Sequence, residues 1–242
     1  MKYVLPLFFF LFLLPLPVYA SSWYYPIGQF GERQSYKAFG QYIDKNFYVG
    51  KASLFPNQFI GYHAAIDLEI FPDEADHLVP VYAVADGKIV YAAPVSGYGG
   101  LILLQLTGTG DTALYGHVKL TNLPFKVGDS VASGTRLTYL GDAFSSETGG
   151  ERKHLHFGIY KGTDLYFRGY EPTLSALNNR WQNPTDFLHN HGAVDIIPPV
   201  TSTPVLPSVA PGAGGPTPSP GFLSQIFQSL LNFLRSLFGM KS

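Results

Sequence analysis

Cysteine is absent from all 242 residues, so neither a disulfide framework nor a thiolate metal site or thiol nucleophile is available, and any metal must be held by nitrogen and oxygen. Charge is also scarce, at 14% of residues with a formal net charge of −1, which excludes the basic surface that nucleic-acid binding needs. There are only two methionines and two tryptophans, whereas Tyr, Phe and Gly number 16, 19 and 26. That bias predicts a sheet-rich chain with many tight turns, and a hydrophobic fraction of 46% is ample for a packed core.

The ends of the chain differ from its middle. Lys2, the apolar run Tyr3 to Pro15 and the small-residue pattern Val18-Tyr19-Ala20 before Ser21 read as a signal peptide over residues 1–20, placing the mature protein outside the cytoplasm, in the periplasm, cell envelope or medium. Residues 21–60 are rich in aromatics and Gly without a helical period, and predict loops and short strands leading into a main domain over 61–190. A linker follows over 191–220, which from Pro198 onward is uncharged and dominated by Pro, Gly, Ser, Thr and Ala. Within 221–242, Phe222, Leu223, Ile226, Phe227, Leu230, Leu231, Leu234, Leu237 and Phe238 form the apolar stripe of an amphipathic helix. One face is too polar to span a bilayer. Peripheral membrane contact and docking on the domain or a partner are equally compatible with it.

In the middle, β-type runs alternate with turn residues. Ala65 to Ile70, Val79 to Ala85, Lys88 to Ala92, Leu101 to Leu106, Thr112 to His117, Leu137 to Leu140 and His154 to Tyr160 read as strands, with Gly97-Tyr98-Gly99-Gly100 and Gly108-Thr109-Gly110-Asp111 as turns. The expected fold is all-β, a mainly antiparallel open barrel or sandwich.

Chemistry concentrates on histidine. In Lys153-His154-Leu155-His156-Phe157-Gly158-Ile159 a strand would place both imidazoles on one face and Leu155 and Phe157 on the other. His63-Ala64-Ala65-Ile66-Asp67 offers an imidazole and a carboxylate four positions apart, and Tyr115-Gly116-His117 ends another strand. Each alone is weak, since His and Asp pairs are common. Together they suggest three N/O ligands and an open position, the arrangement of a catalytic zinc. Spacing does not tell His154 from His156 as the ligand. His189-Asn190-His191 lies between Pro184 and Gly192 and reads as a surface pair in a loop, and His77 as a solvated side chain in an acidic loop.

These motifs, His-x-x-x-Asp, Tyr-x-His and His-Leu-His-Phe in that order, resemble the lysostaphin-type, LytM-like zinc endopeptidases that cut peptidoglycan peptides. Pro80 to Val90, Lys126 to Val131 and Asn183 to Leu188 are similar to other parts of that family. The resemblance implies Zn²⁺ on His63, Asp67 and His156, with His117 and His154 as catalytic groups beside it. It also implies peptidoglycan peptides as substrate, or, in the manner of silent relatives, a wall-binding or hydrolase-activating module. Ala65 and Lys153 depart from the family pattern, and the segments 142–152 and 161–181, expected to wall the substrate groove, look different from it.

Overall fold

The computed structural model describes residues 22–51 and 53–196. The predicted signal peptide, the Pro-rich stretch and the amphipathic helix lie outside them. Among the described residues twelve strands are all paired antiparallel: β1 (Tyr42–Ile43), β2 (Gly61–His63), β3 (Ile66–Glu69), β4 (Pro80–Tyr82), β5 (Gly87–Val95), β6 (Gly99–Leu106), β7 (Thr112–Gly116), β8 (Ser130–Val131), β9 (Arg136–Tyr139), β10 (His154–Tyr160), β11 (Tyr170–Glu171) and β12 (Trp181–Gln182). Among the described residues two α-helices occur, both late, α1 (Leu174–Arg180) and α2 (Pro184–Asn190). The mainly antiparallel β expectation holds.

The principal sheet runs β12-β10-β7-β6-β5-β8, with β3 on the free half of β10 beside β12. Its strands are apolar on both faces, and alternation sends the two halves of each to different cores. Ile102, Leu104, Ala113, Tyr115, Leu155, Phe157 and Ile159 enter the larger core, joined by Ile27 and Phe30 from the leading segment. Leu101, Leu103 and Leu114 enter a smaller one with Tyr98, Leu177 and Trp181. β1, β2 and β11 form a separate three-stranded sheet. The chain passes between the two sheets at Ala64 and Ala65, both fully buried.

α2 corrects one expectation. His189 and Asn190 belong to the last turn of a helix rather than a loop: Asn183 caps its start through the Thr185 amide at 3.0 Å, Pro184 takes the first turn, and Phe187 and Leu188 are buried. Seven residues are too few for a helical period to show in sequence. His189 and His191 are exposed, as expected of a surface pair.

Candidate metal centre

β10 sits between β3 and β7, and its register sets the site. His156 lies directly opposite Asp67 on one side and Gly116 on the other. His63 arrives from the second sheet, at the end of β2, where it pairs with Tyr170. The stretch His63 to Asp67 is therefore two strands of two sheets, bent at the alanines, and not the entry of a single strand. Ala65 is accommodated in the bend with its side chain buried.

Three donor atoms converge. Asp67 Oδ1 lies 3.0 Å from His156 Nδ1 and 3.3 Å from His63 Nε2, and the two nitrogens are 3.2 Å apart. Donors about 2.0–2.1 Å from the centre of a tetrahedron stand roughly 3.3–3.4 Å from one another, so the triangle is close to the face that zinc would occupy. Two imidazoles and one carboxylate oxygen also suit zinc by donor type. These three form the one group of histidines and acids among the described residues able to share an ion. Each is supported from behind: His63 Nδ1 donates to the Ala38 carbonyl at 3.3 Å, and the Tyr98 hydroxyl lies 3.5 Å from His156 Nε2.

His117 and His154 stand beside the triangle without joining it. Their rings are 4.4 Å apart. Nδ1–H of His117 donates to the Thr148 carbonyl and that of His154 to the Arg152 carbonyl, each at 2.9 Å, which fixes both tautomers with the lone pair on Nε2. Burial lowers His117 to about 3, and burial together with the nearby Arg152 charge holds His154 well below the usual imidazole range. Both are neutral bases at pH 7. His117 also has a left-handed backbone, φ 63°, rare for a residue with a side chain and often retained where function requires it. Burial lowers His156 to about 4. It would push the Asp67 carboxyl up, but the surrounding imidazoles of His63 and His154 and hydrogen bonds from His156 and His63 keep it well below the carboxylate range.

Outer oxygen Oδ2 of Asp67 faces a charged layer. Arg152 Nη2 reaches it at 3.1 Å, grips Glu69 through Nη2 at 2.5 Å and Nε at 2.9 Å, and lies over Phe55. Nη1 meets Glu151 at 3.4 Å.

All five predicted residues thus meet at one place. The cleft above them, about 230 Å³, is walled by Asn57 to Phe59, Ser96 to Tyr98 and Phe167 to Tyr170. The segment 161–181 supplies part of the wall as expected, but 142–152 contributes only Glu151. Tyr98, Lys37 and Arg152 were missed in the sequence. Tyr98 sits in what reads as a glycine turn, yet two glycines make room for it: a Cβ on Gly116 would lie 2.5 Å from its ring and one on Gly169 2.5 Å from its hydroxyl.

The model of peptidase family M23 matches residues 61–167. Among solved structures, the catalytic domain of the antimicrobial peptidase lysostaphin from Staphylococcus simulans is 24% identical over 66% of this chain and 95% of that one, with a TM-score of 0.46. A lysostaphin structure in solution is 23% identical over 81% of this chain, with a TM-score of 0.47, and the chain spans 60% of it. Csd3 of Helicobacter pylori is 18% identical over 91% of this chain and 44% of that one, with a TM-score of 0.43. No curated protein matches the chain.

Proposed function

We propose that the chain, whose residues 61–167 match the model of peptidase family M23, is a zinc-dependent endopeptidase of the lysostaphin-type, LytM-like kind, hydrolysing peptide bonds in peptidoglycan stems or cross-bridges. The observation that carries this reading is the triangle of His63 Nε2, Asp67 Oδ1 and His156 Nδ1 with two neutral imidazoles beside it and a cleft above.

When bound, zinc supplies a Lewis acid that polarises the scissile carbonyl and lowers the pKa of a water to about 7. The residues of the chain do the rest. His117 lines the cleft with Nε2 unprotonated, and is the group that takes the proton from the attacking water and returns it to the leaving amine. His154 lies one ring behind, its Nε2 3.5 Å from Asp67 Oδ2, and stabilises the charge that His117 acquires. Tyr98, its hydroxyl held neutral by burial, accepts from His156 Nε2–H and keeps its own proton to donate to the developing oxyanion. Export through the predicted signal peptide would bring the enzyme to its substrate.

Two variants test the roles. His156→Ala is expected to lose both zinc and hydrolysis of peptidoglycan, and His117→Ala to keep one zinc per chain and lose turnover. Metal analysis and mass spectrometry of digested muropeptides read the two properties separately. Wild-type hydrolysis by both variants would refute the assignment. Zinc-loaded wild type that cuts no muropeptide but binds cell walls would favour the silent module.

A further inference from the structure

Lys37 comes from the leading segment, outside every motif, and ends beside the metal triangle. It is 5% exposed. Its Nζ lies 3.9 Å from Asp67 Oδ2 and over two aromatic faces, 4.5 Å from the centre of Phe55 and 5.2 Å from that of Phe59. An ammonium carries three donors. None of them has an acceptor within hydrogen-bond distance among the described residues, because Asp67 is taken by Arg152 and the imidazoles, and Glu151 pairs with Arg152 at 3.4 Å. The described residues leave no fully enclosed side-chain nitrogen or oxygen without a partner, and Lys37 lines the cleft, so its nitrogen opens there.

A buried ammonium is costly unless anions meet it, and Asp67 at 3.9 Å balances the charge without accepting a hydrogen bond, so the donors of Lys37 stay free for a ligand. The wall it stands on is formed by Phe59, stacked on Tyr170 at 4.5 Å and facing His63, whereas Tyr98 and His117 form the other wall, 5.7 Å between their rings. The proton-transfer groups and the cation therefore face a bound peptide from different sides. Arg168, exposed and over Tyr170, adds a second positive charge at the rim on the Lys37 side.

We infer that Lys37 anchors a free carboxylate of the substrate next to the bond that is cut, making the enzyme selective for peptides bearing that acid over their amides. This deepens the peptidase reading and rests on it. A charge-assisted hydrogen bond of this kind is worth about 10- to 100-fold in affinity.

The test uses the zinc-loaded full chain and defined stem peptides in which each carboxylate in turn is free or amidated, the cut being located by mass spectrometry. For one such pair, wild type is expected to show a kcat/KM at least tenfold higher for the acid, through KM. Lys37→Met should bring the acid down to its amide while zinc stays at one per chain, and Lys37→Arg should restore part of the preference. Equal rates for acid and amide in wild type, a preference that survives Lys37→Met, or an equal loss on both substrates, as an oxyanion donor would give, would each overturn it. If wild type cuts no peptide, the peptidase reading fails by itself. Titration calorimetry of the same pairs then decides the anchor, and equal affinity for acid and amide overturns it.

Discussion

Replacing Arg152 by Met keeps an unbranched apolar stem over Phe55 but removes the one guanidinium between Asp67, Glu69 and Glu151. Its side chain is 7% exposed, and those of Asp67, Glu69 and Glu151 are 1%, 13% and 4% exposed, so water repairs little of the loss. Removing one partner of such a buried cluster costs about 3–5 kcal/mol, or a fall in Tm of roughly 6–20 °C for a domain of this size. The pH dependence has a definite sign. Burial already raises Glu69 to about 7 and Glu151 above the usual range, with Arg152 opposing both. Without Arg152 both rise further. A carboxyl whose folded pKa exceeds its unfolded value favours folding below the unfolded value and loses that contribution as pH climbs through the folded one. The variant is thus most impaired at pH 8.5, and recovers about 1 kcal/mol or more relative to wild type at pH 5.5. Urea unfolding of the metal-free proteins, followed by circular dichroism at both pH values, measures this. A deficit below about 1 kcal/mol at pH 8.5, or one that grows on acidification, would refute the reading of Arg152 as the counter-charge of the site.

Other outcomes follow from single contacts. Gly169→Ala puts a methyl 2.5 Å from the Tyr98 hydroxyl and 3.2 Å from the His156 ring, so turnover on peptidoglycan should fall at least tenfold with Tm within a few degrees of wild type; unchanged turnover would show that Tyr98 has no part in it. Tyr98→Phe removes the partner of His156 Nε2 and should weaken zinc binding about 10-fold, measured against a competing chelator; unaltered affinity would refute the supporting role. In metal-free protein, His117 has a folded pKa of about 3 against 6.5 unfolded. The unfolded chain therefore binds the proton first, and stability is lost as pH falls from 6.5 towards 3, with a slope of up to about 1.4 kcal/mol per unit that His117→Gln should abolish. Parallel stability curves for the two proteins would contradict that.

How much of this could be read in advance depended on the kind of regularity each part has. His154 and His156 were legible because a strand repeats every two residues, and the alternation with Leu155 and Phe157 is what splits β10 between site and core. The strands β5, β6, β7 and β10 stood out as β-branched, leucine and aromatic runs between glycine turns, although β5 and β6 extend further into their hairpin than those turns suggested. The choice of His156 over His154 came from family resemblance alone; the register supports it, since His156 faces Asp67 and His154 faces Glu69. Lys37 and Arg152 carried no local signal. Lys37 reaches the site only because a leading segment without periodicity folds back over β3, its carbonyl accepting from the Asp67 amide at 3.1 Å, and Arg152 only because the pairing of β10 with β3 brings it to Asp67 and Glu69. The bend at Ala64 and Ala65 was hidden for the same reason, as nothing in two alanines announces a change of sheet.

His63 and His156 are separated by 93 positions, and the strand that carries the second is among the last to be laid down. A chain emerging from the ribosome, or threading through a narrow pore, carries the first imidazole and the carboxylate long before the second imidazole exists beside them. On the proposed reading, two such donors on an unfinished sheet would hold an ion weakly, and His117 would have nothing to act with. The proposed hydrolytic centre would therefore assemble only once β10 has been delivered, so the machinery that makes and moves the chain would handle an inert polymer.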